Sequence, residues 1–321
     1  MKRVLIVGAG GQIGTELVPH FQKIYGEDNV IATDVRDDIV ARLSESSIAY
    51  KLDALDANSY HEMVKKNRVD VIFNLVALLS ATGEKSPDLA WDINMGALLN
   101  SLNIAREYKA ILFTPSSIGA FGPSTPAVKT PQDTIMRPTT IYGVCKVTGE
   151  MLSDYYFSRF GVDTRSVRFP GIISNGALPG GGTTDYAVEV YYEVIKKGQY
   201  TCPLPAEAYM DMLYMPDALN ACSQLIEADP SKLKHRNSFN VTAMSFNPRE
   251  LFEVIRKRIP AAKFDYDVDP VKAAIAASWP DSLDDTCARE EWGWNPKWNV
   301  ETMTDDMLKA IAAKIGEVGK R

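Results

Sequence analysis

Val4-Leu5-Ile6-Val7-Gly8-Ala9-Gly10-Gly11-Gln12-Ile13-Gly14 stands almost at the start of the chain, and it reads as a β-branched strand, a glycine turn and the opening of a helix. Glycines at these positions let the backbone turn tightly, come close to a pyrophosphate and pack the helix on the strand. The helix start then offers unpaired N–H groups and the positive end of its dipole to an anion. About 20 residues further on, Asp34 ends a second β-branched run, where a carboxylate can accept both hydroxyls of a ribose and repel a 2′-phosphate. A glycine turn alone also fits an ordinary βα loop. With Asp34 at this spacing it predicts a dinucleotide site that prefers NAD to NADP.

Outward from that turn, short apolar runs alternate with helical patterns. Strands are expected at 4–7, 30–33, 49–52, 69–74, 110–113 and 164–168, and helices at 12–24, 59–66, 88–108 and 142–160. Such alternation is how βαβ units build a parallel sheet, so the fold class expected is α/β, a doubly wound parallel-sheet Rossmann fold. After Pro170 the pattern changes to a glycine cluster at Gly180, Gly181 and Gly182, weaker strand signals at 211–214 and 238–241, and helices punctuated by Pro216, Pro248, Pro270 and Pro280. The expected division is a nucleotide-binding part at 1–170, with 211–237 returning to it, and a smaller interleaved C-terminal substrate-binding part at 171–210 and 238–321.

Composition narrows the function classes. The chain has 321 residues, 45% hydrophobic and 24% charged, enough for a large core, and its net charge of −6 with no long basic run argues against nucleic acid as partner. No stretch approaches a membrane span and the strand 4–7 follows the first residues directly, so a cytoplasmic location is expected. Cys145, Cys202, Cys222 and Cys287 lack C-x-x-C spacing and His20, His61 and His235 are scattered. Neither a disulfide framework nor a metal site is expected.

At the carboxyl ends of the strands, Asp53 is placed to meet an adenine amino group, and Leu75, Val76 and Ala77 to form an apolar cofactor wall. Tyr142-x-x-x-Lys146 opens a long helix, where a spacing of four sets the ammonium beside the phenol. That cation favours the phenolate and allows the tyrosine to accept a proton near neutral pH. Tyr192-x-x-x-Lys196 has the same spacing. Only Tyr142, however, follows a strand ending in hydroxyl residues, Thr114 to Ser117, so the chemistry is expected at Tyr142 and packing at Tyr192.

Together the glycine turn, Asp34, Thr114-Pro115-Ser116-Ser117-Ile118-Gly119-Ala120-Phe121-Gly122 and Tyr142-x-x-x-Lys146 resemble the extended short-chain dehydrogenase/reductase superfamily over essentially the whole chain. Within it, the short-chain L-threonine 3-dehydrogenase family is the one resembled most. Gly11 to Leu17, Ala77 to Ser80, Arg137 to Gly143, Phe169 to Ile172 and Gly180 to Tyr186 carry that likeness. Nucleotide-sugar epimerases and dehydratases of the same superfamily are the alternative, usually with an asparagine where this chain has Pro170-Gly171. A dinucleotide-sensing regulator without turnover is a remoter one, since such proteins usually lose the Tyr or the Lys.

The resemblance implies NAD-dependent oxidation of the 3-hydroxyl of L-threonine to 2-amino-3-oxobutanoate, without a metal. It places Ser117, with Ser116 as its neighbouring alternative, on the residue that polarises the substrate oxygen. Tyr142 then transfers the proton, and Lys146 supports it and holds the nicotinamide ribose. Cofactor contacts are expected from Gly8, Gly10, Gly11, Gln12, Ile13, Gly14, Asp34, Asp53, Ala54, Leu75, Val76, Ala77, Tyr142, Lys146 and Pro170. Substrate contacts are expected from Ser80, Ser117, Tyr142, Thr183, Thr184 and Trp279, the glycines before Thr183 offering backbone N–H groups to a carboxylate and forming a mobile lid. A homodimer through the helices 88–108 and 142–160 is also implied.

Overall fold

Val4–Val7 (β1) is buried along its whole length, as befits a strand covered by helices on both faces. It lies in a computed structural model that describes residues 1–176 and 182–318. After β1 come α1 (Gln12–Tyr25), β2 (Val30–Asp34), α2 (Asp37–Leu43), β3 (Ile48–Lys51), α3 (Ala57–Asn67), β4 (Val71–Asn74), α4 (Ser80–Gly83), α5 (Pro87–Tyr108), β5 (Ile111–Phe113), β6 (Ser116–Ser117), α6 (Ile141–Phe160) and β7 (Thr164–Arg165). The second half holds β8 (Val167–Phe169), β9 (Gly171–Ile173), α7 (Tyr186–Lys197), β10 (Gln199–Cys202), β11 (Met210–Tyr214), α8 (Met215–Glu227), β12 (Phe239–Asn240), β13 (Met244–Phe246), α9 (Pro248–Arg258), β14 (Lys263–Tyr266), α10 (Pro270–Ala276), α11 (Thr286–Trp292) and α12 (Val300–Val318).

The main sheet has the order β3-β2-β1-β4-β5-β7, every pair parallel. Strand order reverses between β1 and β4, and ligands of such sheets bind at the carboxyl ends beside that reversal. The doubly wound α/β fold read from the sequence is therefore the fold observed. One expected strand differs. The run 164–168 breaks at Ser166, whose hydroxyl donates to the Thr114 carbonyl 2.6 Å away and whose carbonyl accepts the N–H of Phe239. β7 stays beside β5, while β8 lies between β6 and β12.

Apolar packing divides the chain differently from its order. Phe21, Phe73, Phe113 and Val167 share a core with Ala218, Cys222 and Leu225 of α8 and with Phe239, Ala288 and Trp294. On the other face of the sheet, Leu5, Val7 and Ile72 pack against Leu98 and Leu102 of α5 and Cys145 and Tyr156 of α6. A third core, with Tyr186, Tyr191, Met212, Phe252 and Met307, joins α7, β11, α9 and α12. β9 pairs with β11, and β11 with β13, so this core is set against the carboxyl end of β8. Among the described residues no helix is long and apolar enough to cross a membrane.

Candidate active site

The glycine turn is built to keep side chains out. Gly8 has a φ of +82°, and a Cβ there would stand 3.2 Å from both the Leu75 carbonyl carbon and the Val76 nitrogen, so the exit of β4 lies against the turn. A Cβ on Gly10 would fall 2.7 Å from Asp34 Oδ2 and 2.2 Å from an Ile39 methyl. Gly11 is the N-cap of α1 and has no side chain to occupy the first-turn N–H groups, which stay available to an anion. Buried Asp34 accepts the Gly10 N–H at 3.0 Å. Arg36 grips the same carboxylate. Burial works to raise the Asp34 pKa, but the Arg36 guanidinium and the Gly10 N–H outweigh it and hold the carboxyl below its ordinary range.

These features fit a dinucleotide: a turn without room for a Cβ, open helix N–H groups, and a carboxylate at the end of β2. Gln12 and Ile13 form the first turn of α1, and Pro170 leads out of β8. Asp53 is exposed and closes a local turn, accepting the Leu55 N–H at 2.9 Å, while Ala54 beside it is buried. Val76 and Ala77 line a cavity next to Lys146.

The helix α6 is fixed at its start before it delivers any chemistry. Thr140 caps it, accepting the Gly143 N–H at 3.1 Å, and Glu84 accepts the Ile141 N–H at 2.7 Å. A Cβ on Gly143 would lie 2.2 Å from the Gly119 carbonyl oxygen, so the helix rests directly on the loop that follows β6. One point on that loop sees both candidate groups. From a Cβ built on Gly119, the Tyr142 ring is 3.2 Å away and Ser117 Oγ 3.5 Å. Lys146 Nζ lies 5.2 Å from the centre of the Tyr142 ring and donates to the Pro115 carbonyl at 2.7 Å.

Ser116 and Ser117 have different surroundings. The Ser117 hydroxyl caps the turn at Ile118–Ala120 by accepting the Gly119 N–H, and its side chain is half-buried. Ser116 is buried and donates to Glu150, whose carboxylate also binds Arg168 at 2.8 Å. Arg168 in turn donates to the carbonyl of Gln132 at 2.7 Å and to Asn240 Oδ1 at 3.1 Å. Between these groups and Lys146 is a cavity of about 30 Å³, lined by Asn74, Asn94, Thr114 and Ser116 among others. That is room for one water, and the Thr114 hydroxyl on its wall has no hydrogen-bond partner among the described residues.

Of the residues expected to contact substrate, Thr183 is buried, and the Thr184 methyl would be 2.7 Å from a Cβ on Gly171, next to Met212 Sδ at 2.4 Å. Thr184 thus packs onto the start of β9. Ser80 opens α4, whose Gly83 lies beside Ile141 at the head of α6. Trp279 packs both on the third core and on the small cluster of Ile118, Phe121 and Leu283, beside the Ser117 loop. Gly180 and Gly181 lie outside the described residues; Gly182 donates to Asp185 Oδ2 at 2.6 Å. Tyr192 stands in α7, with Lys196 Nζ 5.5 Å from its ring centre, and burial raises its pKa.

Sequence reasoning passed over Thr140, Glu84, Glu150 and Arg168. A signal existed for two of them: Thr140 is an N-cap residue type directly before the helix, and Glu150 continues the spacing of Tyr142 and Lys146 by another four. Glu84 and Arg168 reach the site only through the fold.

Compared with known proteins, residues 4–242 match the profile of the family described as NAD dependent epimerase/dehydratase. An uncharacterized epimerase/dehydratase of Staphylococcus saprophyticus is 53% identical over 314 residues, 98% of each chain. The solved L-threonine dehydrogenase of Clostridium difficile superposes with a TM-score of 0.96 at 52% identity, covering 98% of each chain. That of Phytophthora infestans gives 0.94 at 44% identity, over 98% of this chain and 100% of the other.

Proposed function

We infer that this chain, which belongs to the NAD dependent epimerase/dehydratase family, oxidises the 3-hydroxyl of L-threonine to give 2-amino-3-oxobutanoate. The observation that carries the reading is the convergence of Ser117 and Tyr142 on Gly119, with Lys146 behind the ring, in a chain similar to L-threonine dehydrogenases over nearly its whole length.

NAD is the cofactor, and Gly8, Gly10, Gly11, Asp34, Val76 and Lys146 are among the residues that would hold it. When bound it supplies the acceptor for the hydrogen on C3. Ser117 donates a hydrogen bond to the substrate oxygen and fixes its direction. Tyr142 takes the hydroxyl proton, and Lys146, whose Nζ lies 5.2 Å from the ring centre, is the cation beside it. The Pro115 carbonyl keeps Lys146 turned to this task. Ser80, Thr183 and Thr184 receive the carboxylate and ammonium of the amino acid, and Trp279 closes the apolar side. Ser117 is favoured over Ser116 because the Ser116 hydroxyl is already spent on Glu150.

A small substrate is further supported at Gly171, where Thr184 and Met212 leave no room for a side chain able to reach along a nucleotide. The protein also pairs with a second copy through α5 and α6, on which Leu89, Trp91, Leu99, Val144, Met151 and Tyr155 are exposed. Sedimentation should then give a mass about twice the 35.5 kDa chain.

The deciding experiment supplies NAD⁺ with L-threonine, L-serine, 3-hydroxybutyrate or UDP-galactose in turn and follows NADH and the sugar nucleotide. Fast NADH formation with threonine alone is expected. Conversion of UDP-galactose to UDP-glucose with no response to threonine would overturn the reading.

A further inference from the structure

Three ligand-type residues scattered along the chain meet outside the site described above. His235, just before β12, is bracketed by two carboxylates: Nδ1 bonds to Glu291 Oε1, and Nε2 lies 3.4 Å from Asp133 Oδ2. Glu291 and Cys287 are four apart on α11 and so face the same way. One donor atom from each of His235, Cys287 and Glu291 lies within 4.8 Å of the other two.

The surroundings are built and not loose. Glu291 Oε2 accepts the backbone N–H groups of Lys234 and His235, at 2.5 and 3.1 Å, which orients the carboxylate and leaves Oε1 turned inward. The Glu291 side chain is only 8% exposed. Cys145, Cys202 and Cys222 are buried, whereas Cys287 is half-buried and reachable. Asp133, Asp284, Glu290 and Glu291 all act electrostatically on Cys287, so the negative field at this spot suits a dication. An imidazole, a thiol and a carboxylate together are a donor set for a borderline-soft metal, not for calcium or magnesium.

We propose that His235, Cys287 and Glu291 bind one divalent transition-metal ion of the zinc class, with Nδ1 of His235 on the metal and Asp133 at its far nitrogen Nε2 orienting the ring. Ligand atoms of a tetrahedral zinc site stand roughly 3.3–3.8 Å apart, given bond lengths of about 2.0–2.3 Å, so side-chain rotation suffices to close the set. On binding, the Cys287 S–H bond breaks, a metal–sulfur bond forms and the proton leaves to solvent. The metal's role is structural. It ties α11 to the segment leading into β12, where Gln132 already bonds Ser238 O and Asn240 N.

Full-length protein freed of metal with a chelator is titrated with Co²⁺ and then with Zn²⁺. One equivalent of Co²⁺ should bind with a near-ultraviolet thiolate-to-metal charge-transfer band, Zn²⁺ should abolish that band, and Zn²⁺ should raise the melting temperature. Cys287→Ser should lose the band, and His235→Asn should weaken Zn²⁺ binding about tenfold or more. Absence of the band in the wild type, its persistence in Cys287→Ser, or unchanged Zn²⁺ affinity in His235→Asn would overturn the proposal. The wild-type titration decides even if a variant misfolds, and none of these readouts depends on turnover.

Discussion

Arg36 holds the Asp34 carboxylate side-on, with Nε 2.8 Å from Oδ1 and Nη2 3.0 Å from Oδ2, while the Gly10 N–H occupies Oδ2 as well. The Arg36 side chain is half exposed and can yield its place to ribose hydroxyls. Asp34→Ala removes both the acceptor and the charge that repels a 2′-phosphate, and leaves Arg36 free to meet one. NAD⁺ affinity should fall and the ratio of NADP⁺ to NAD⁺ use should rise about tenfold or more. Kinetics with both cofactors check this; an unchanged preference reduces Asp34 to a turn residue.

Tyr142→Phe deletes one hydroxyl from a ring already wedged against Gly119, so the fold and NAD⁺ binding should survive while turnover drops by about 10²–10⁴. Tyr192→Phe should be nearly silent. The serines should separate in kind: Ser117→Ala lowers kcat with little change in melting temperature. Ser116→Ala instead leaves Glu150 short of a donor in a buried network and costs stability, about 1–3 kcal/mol. Reversal of that pattern, read by kinetics beside denaturant unfolding, would move the chemistry to Ser116.

Thr184 sets its methyl against Gly171, its hydroxyl is proposed to meet the substrate carboxylate, and two substitutions part these roles. Thr184→Ala should raise KM for L-threonine about 10- to 100-fold, the loss for a charged ligand deprived of a donor. Thr184→Ser keeps the hydroxyl and should stay close to wild type in KM. If the ammonium is also read, 3-hydroxybutyrate should be a poor substrate although it retains the alcohol and the carboxylate. Equal KM values for wild type and Thr184→Ala would remove Thr184 from the pocket.

Asp211 gives the molecule a pH dependence of its own. Burial pushes its pKa up to about 8, against the hydrogen bonds from Thr242 and the Leu283 N–H, with Asp285 adding to the rise. In the unfolded chain the same carboxyl titrates at about 3.9. Between those values the native state keeps a proton that the unfolded state has lost, so this group's contribution is complete below about pH 4 and fades as pH rises through about 8. Asp211→Asn mimics the protonated form and should flatten the decline. Denaturation midpoints from about pH 5 to about pH 9 test it, and parallel curves for the two proteins would refute it.

The strands and long helices were legible because each carries its own period and punctuation. β1, β2, α5 and α6 fall within a residue or so of their expected limits. The break at Ser166 was not legible, because it depends on partners 52 and 73 positions away, Thr114 and Phe239. Tyr142 and Lys146 announce themselves by spacing on one helix. Glu150 and Arg168 do not, since a charged pair looks like solvent-facing residues until the fold buries both side chains. His235, Cys287 and Glu291 converge for the same reason, through tertiary structure and not through any motif spacing.

Gly143 and Gly119 touch with no side chain between them, and that has a bearing on how this scaffold could be diversified. The surface carrying Tyr142 and the one carrying Ser117 are in direct van der Waals register, so no residue at either glycine can serve as an adjustable shim. A larger residue at 143 would therefore push the helix bearing Tyr142 away from the loop bearing Ser117. On the proposed reading, new substrate scope is to be sought at Thr184 and Trp279, away from this contact, where a side chain can be exchanged while Tyr142 and Ser117 keep their spacing.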